Sequence, residues 1–457
     1  MIFNSFAFLL LFLPVTLIIF RFIAGRFRES FLLAASLLFY AISGVEHVVV
    51  LALCVVWVWA FTGSQLICGN RLRLTLAIAG PAAALLFYKY AGFIARDVLS
   101  LSPELVATLN LTNDKLLPAG ISFFTFHLIA FAIDRFRGEI NQPPTASHFG
   151  LYIAFFPHLV AGPILRYHDV AKSIENLPRF KVSEADWNRV IGYFCSGLAL
   201  KVLLADGLSR QIAPLAKAPG GLEPLAALYV LIGYSFQIYF DFWGYSLMAM
   251  GLAFAFGFDF PQNFDRPYES LNPRDFWRRW HKTLGTWIRD YLYLPFGGNQ
   301  HFIRNILIVF ALCGLWHGAA WQFVVWGIFH GCLVVFYSIT ARVWDRAPIL
   351  FQQFLTFTLV SLGWVLFLFD FKAARAFIGS LSGMSEGAHL LPAPSGEGWG
   401  LLLLAAFVCF FIHPERIFAA TNRQGWVGYA QATGYAVVFS LAILFLDRSD
   451  SFIYFRF

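Results

Sequence analysis

The 457-residue chain is 59% hydrophobic and only 13% charged, about half the charged share of an ordinary soluble domain. Its roughly 270 apolar residues could supply on the order of a dozen membrane-spanning helices at about 20 residues each. Soluble multidomain, disordered, collagen-like, coiled-coil and disulfide-scaffold classes are excluded. The net charge of +7 is spread between apolar segments, which fits positive-inside topology and anionic headgroups rather than nucleic acid.

The first apolar run, 2–20, has no basic region before it and no small-residue cleavage site after it, so it reads as a retained span. Further runs follow at about 31–43, 48–67, 74–95, 119–133, 149–165, 190–205, 225–257, 303–340, 350–369, 399–412 and 426–446. Arg21, Arg26 and Arg28 follow the first run, and Arg71 and Arg73 follow the third. With two spans between them, both clusters fall on one side, the cytoplasmic one. Val98 to Asp114, which lacks Lys and Arg, and the Gly/Ser/Pro-rich Gly379 to Gly398 fall outside. Cys54, Cys68, Cys195, Cys313, Cys332 and Cys409 lie in or beside apolar runs without a C-x-x-C pair. They read as small buried or lipid-facing hydrophobes, not as a disulfide frame or thiolate metal site.

Two runs carry helix breakers: Leu117-Pro118-Ala119-Gly120 and Pro157-His158-Leu159-Val160-Ala161-Gly162-Pro163. Non-helical backbone at membrane depth is tolerated only inside protein or against a wet cavity, so these predict re-entrant or broken helices. No internal repeat relates the two halves, which weakens an inverted-repeat transporter reading.

Charge gathers in one place. Eleven of the 32 residues from Asp259 to Asp290 are charged. There, Asn272-Pro273-Arg274-Asp275 predicts a helix start, with Asn272 as N-cap and Asp275 at the positive dipole end. A continuous interfacial helix over 273–293 would place Arg274, Arg278, Lys282 and Arg289 on one side. Trp277, His281, Leu284 and Ile288 would lie on another. The basic stripe suits lipid headgroups or a phosphate-bearing acyl donor. Asp241 stands deep in an apolar run, where a carboxylate is costly unless paired or hydrated.

A second focus is Leu315-Trp316-His317-Gly318, followed by Trp326-Gly327-Ile328-Phe329-His330-Gly331. His317 and His330 are thirteen residues apart and no H-x-x-x-H pair exists, so no metal site is expected. No Gly-Asp-Ser motif is present, so no serine nucleophile of that kind is advertised. An imidazole among tryptophans remains, suited to taking a proton from a hydroxyl near neutral pH.

The combined motifs resemble the membrane-bound O-acyltransferase family, in the bacterial branch of the alginate O-acetylation membrane protein. The likeness lies in 117–126, 156–163, 241–246, Asp275-Phe-Trp-Arg-Arg-Trp-His281, 289–299, Gly314-Leu-Trp-His-Gly318, 326–331 and the terminal 452–457. It implies an all-α, polytopic integral membrane protein of about eleven transmembrane helices, plus re-entrant and interfacial helices around a central cavity. One membrane domain would cover 1–457: N-terminal helices over 1–100, a catalytic core over 115–331 and C-terminal helices over 350–457. His317 matches the family's essential histidine and His281 its second histidine position. Asp241, Trp280, Asp290, Trp316 and His330 would support them, and Arg278, Arg279, Lys282 and Arg289 would bind the donor.

The implied reaction moves an acyl group, foremost acetyl, from a cytoplasmic thioester such as acetyl-CoA or an acyl carrier towards an extracytoplasmic polysaccharide. No permanently bound cofactor is expected. A hydrolase-like extracytoplasmic acyltransferase is the implied partner, and the cell inner membrane the implied location. The sequence departs from the pattern at His158, where relatives often have Gln, and at Trp243 and Leu247, where Ser and Asp are common. Alternatives are D-alanyl transfer for teichoic acid modification, a transporter or flippase, and a scaffold of a polysaccharide secretion complex.

Overall fold

A chain this apolar must satisfy its peptide groups internally, and helices do so segment by segment. The computed structural model describes residues 2–63, 69–109, 111, 117–182, 187–385, 387, 389–412 and 426–453. Cys68, part of the 98–114 stretch and the last four residues of the terminal motif lie outside them. Among the described residues the only β-pairing is an isolated bridge between Leu222 and Leu391. The protein is all-α and polytopic.

Among the described residues six helices are long and apolar enough to cross a bilayer: Val45–Gly63, Asn70–Val98, Trp187–Ala216, Pro224–Ala255, Trp321–Trp344 and Ile349–Leu368. Shorter apolar helices cover Ala7–Phe22, Gly396–Phe411 and Gly428–Leu444. Other apolar runs form helices of similar or shorter length, such as Arg28–Ala41, Ile121–Arg137 and Phe302–His317.

Contacts divide the chain into two units. The first takes residues 1–194 and 248–261. Its core holds a cluster of Phe3, Phe8, Phe12, Phe39 and Phe156, with ring centroids 5.1–6.5 Å apart. Each such pair adds about 0.5–1.5 kcal/mol beyond the area it buries. The expected break after residue 156 is present. Phe156–Leu159 is a single helical turn, the chain then runs irregularly to Arg166, and residues 151–165 are all buried. Side chains satisfy this irregular backbone: His127 Nε2 accepts from the Leu165 N–H at 3.1 Å, and the Tyr152 hydroxyl donates to the Leu165 carbonyl at 2.9 Å. His158 lies beside His127, ring centroids 4.9 Å apart.

The second unit takes residues 195–247 and 262–457 and contains His281, His317 and His330. Here the apolar run 303–340 is not one element. It folds as a hairpin of Phe302–His317 and Trp321–Trp344, turning at Gly318-Ala319-Ala320. Glycines explain the turn's tightness. A Cβ on Gly314 would stand 2.0 Å from the Phe323 carbonyl oxygen, and one on Gly327 2.0 Å from that of Phe310. Backbone packs directly on backbone, the close approach that small residues permit between membrane helices. The hairpin puts His317 at the end of one arm and Trp326 and His330 on the other.

Candidate active site

The charged segment starts as the sequence predicts. Asn272 caps the helix Pro273–Arg279, its Oδ1 accepting the Asp275 N–H at 2.8 Å. The continuous helix expected over 273–293 does not form. The chain breaks at Trp280 and His281, resumes as Lys282–Ile288, and continues as a π turn over Arg289–Tyr293. Tertiary hydrogen bonds override helical propensity at the break. The Asp265 N–H donates to the Arg279 carbonyl at 3.0 Å, and the Lys282 N–H to the Asn263 carbonyl at 2.8 Å. His281 consequently takes a left-handed backbone, φ 43°, a conformation costing about 1–2 kcal/mol for a residue with a Cβ. Strain of this kind persists where surrounding contacts over-determine it.

The break has a geometric consequence: it folds two helix faces into one wall. A cavity of about 270 Å³ is lined by Trp277, His281, Leu284 and Ile288 together with Arg274, Arg278 and Arg289. Trp280, Cys313 and Phe310 complete its apolar side, while Tyr293 and Asn299 add polar groups. Arg274 and Arg278 are exposed. Arg289 is held by Asp290 through two bonds of 2.6 and 3.0 Å. Arg279 turns instead to Asp275 at 3.0 Å, and neither it nor Lys282 lines the cavity. Of the four expected donor-binding residues, the structure thus brings Arg278 and Arg289 to the wall and adds Arg274.

His281 is 1% exposed, and burial pushes its pKa down to about 3, so the ring is neutral. Its tautomer follows from Asn263. The Asn263 Oδ1 accepts from the Thr283 N–H at 3.4 Å and the Thr283 hydroxyl at 2.9 Å, and it lies 2.9 Å from His281 Nδ1. An amide oxygen can only accept, so His281 carries its proton on Nδ1 and keeps the lone pair on Nε2. Nε2 has no hydrogen-bond partner among the described residues. A basic nitrogen therefore stays uncommitted beside the cavity.

His317 is not part of that wall. It lies one ring further on: His281 and Trp316 are 6.3 Å apart, Trp316 and His317 4.8 Å. Beyond it the aromatic series continues through Trp326 at 5.1 Å to His330, 4.9 Å from Trp326. His330 returns to the cavity through Trp277, 5.1 Å away. Trp280 packs between Phe276, at 5.5 Å, and Trp364, at 4.9 Å. Asp241 is elsewhere, ion-paired with Lys201 at 2.7 Å. Among the described residues no group of three His, Cys, Asp or Glu is arranged to hold a metal.

Sequence reasoning passed over Asn263 and Lys201. Lys201 had a signal: a lone cation in an apolar run, when Asp241 in another run needed a partner. Asn263 had none, because an amide that sets a tautomer looks like any loop asparagine.

Fold and site define a multi-pass membrane protein whose imidazoles gather beside an arginine-lined cavity. The chain matches the model of the membrane-bound O-acyltransferase family over residues 122–370. It is 35% identical to a protein named as a probable alginate O-acetylase from Azotobacter vinelandii, covering 80% of this chain and 75% of that one. A peptidoglycan O-acetyltransferase of Helicobacter pylori is 29% identical across 100% of this chain and 98% of its own. A teichoic acid D-alanyltransferase of Bacillus subtilis is 30% identical over 50% of this chain and 60% of its own. The chain belongs to the membrane-bound O-acyltransferase family and is an O-acyltransferase, which sets aside the transporter and scaffold readings.

Proposed function

We propose that the protein is the membrane component of a polysaccharide O-acetylation system in the cell inner membrane, taking acetyl groups from a cytoplasmic thioester for an extracytoplasmic glycan such as alginate or peptidoglycan. The observation that carries this reading is the arginine-lined cavity walled by His281. It offers cations for a donor's phosphates, an apolar wall for its arm and imidazole for proton transfer. In the proposed reaction His317 takes the proton of the acceptor hydroxyl, and the oxygen attacks the thioester carbonyl. The tetrahedral intermediate collapses, the ester forms, and the departing thiolate receives the proton from His317. His281 and the neighbouring Trp280, Trp316 and His330 orient the reactants. Asp290 contributes by holding Arg289, and Asp241 by its pairing with Lys201. The acceptor hydroxyl belongs to a separate hydrolase-like transferase outside the membrane, which passes the acetyl group from that ester on to a glycan hydroxyl.

The test uses purified wild type and His317→Ala with acetyl-CoA, following thioester consumption and labelled acetyl transfer. Transfer falls at least a hundredfold in the variant while expression and thermal stability stay normal. Undiminished transfer by His317→Ala refutes the assigned base. A second reading, D-alanyl transfer from a carrier protein, is favoured by the likeness to teichoic acid D-alanyltransferases; a D-alanyl carrier in the same assay separates the two.

A further inference from the structure

The span Trp187–Ala216 widens to a π turn over Leu200–Ala205, a geometry frequent at functional sites. This turn carries Lys201, which is 2% exposed. Its ammonium lies 2.5 Å from Asp206 Oδ1 and 2.7 Å from Asp241 Oδ1. The close approach of the two helices depends on Gly244, where a Cβ would stand 2.7 Å from the Gly197 carbonyl oxygen and 3.1 Å from the Lys201 backbone nitrogen. A buried cation shared by two carboxylates leaves negative charge that further donors must meet.

Those donors come from the C-terminal segment. The Ser449 hydroxyl donates to Asp206 Oδ2 at 2.6 Å, and the Ile453 N–H to Asp241 Oδ2 at 2.8 Å. The Ser209 hydroxyl reaches Asp450 Oδ2 at 2.9 Å. Between these anchors Phe452 stacks on Tyr245 at 4.8 Å and meets Phe242 at 5.5 Å. Phe242 in turn meets the His281 ring edge-on at 4.6 Å. Contact is thus continuous from Lys201 to His281.

We propose that Lys201 is a positioning residue for acyl transfer: it clasps Asp206 and Asp241 so that their outer oxygens dock the 449–453 segment, and the docked Phe452 fixes Phe242, against which His281 is set. The proposal rests on the reading of His281 as part of the transfer site. A clasp that merely holds the fold would affect stability, whereas this one acts on the chemical step.

The full-length protein carrying Ser209→Cys and Asp450→Cys reports docking by disulfide formation under mild oxidation, with a control lacking Asp450→Cys. Adding Lys201→Gln is expected to lower cross-linking at least fivefold and kcat at least tenfold, with donor KM within twofold. Forming the disulfide in that variant restores most of the kcat. Unchanged kcat in Lys201→Gln, or a loss that the disulfide does not restore, overturns the proposal. Should Lys201→Gln fail to accumulate in membranes, Phe242→Leu is read instead: cross-linking persists and kcat falls, and an unchanged kcat is the overturning result. His281→Ala runs alongside. If it keeps full activity, the site reading itself fails; if it loses activity while the Lys201 and Phe242 variants do not, only the clasp fails.

Discussion

At the scale of single residues, the site depends on a histidine held neutral in an unusual backbone. The folded pKa of His281, about 3, lies below the unfolded value of about 6.5. Between these values the unfolded chain binds a proton that the folded chain refuses, so stability is full above pH 6.5 and declines as pH falls towards 3. By pH 5 this one group costs on the order of 2 kcal/mol. His281→Asn removes the titration, and Asn tolerates the left-handed backbone. Thermal midpoints in detergent should then fall less between pH 7 and pH 5 than those of the wild type; an equal fall would mean that His281 is charged when folded. The sequence could nominate His281 by its motif, but not its tautomer, because Asn263 is 18 residues away.

At the scale of elements, the helix start at Asn272 was legible because a cap is local: one side chain, one N–H, three residues apart. The break at 280–281 was not, since the bonds that stop the helix come from Asn263 and Asp265. The same distinction governs the hairpin. A hydropathy run from 303 to 340 hides its turn, for Gly318-Ala319-Ala320 is as apolar as its flanks. The glycines themselves give a test. Gly314→Ala drives a methyl into the backbone of the opposite arm and should destabilise the protein by on the order of 3 kcal/mol. Gly400→Ala, in a helix with nothing within 4 Å of the new Cβ, should be neutral or slightly stabilising. Similar thermal midpoints for the two variants would contradict the backbone-to-backbone packing.

At the scale of the whole molecule, composition alone made the membrane class legible, and ordered motifs made the family legible. Neither could say which cations meet at the cavity. The basic stripe of a straight helix would have included Lys282; the broken chain selects Arg274, Arg278 and Arg289. Replacing Arg274 and Arg278 by Gln should raise the donor KM several-fold and flatten its dependence on salt, because their attraction for a phosphate is screened over about 10 Å at 0.1 M ionic strength. Steady-state rates across a salt series measure this, and an unchanged salt slope would remove the pair from donor recognition. The glycine hairpin has a consequence for motion as well. Where two backbones touch, no side chain remains between them to swing aside, so its arms move as one rigid body. Two rings around His317, Trp316 and Trp326, ride on that body. A further ring, Phe367, 5.3 Å away, belongs to the helix Ile349–Leu368. Moving that helix away from the hairpin would therefore take one ring off His317 and leave the other two in place.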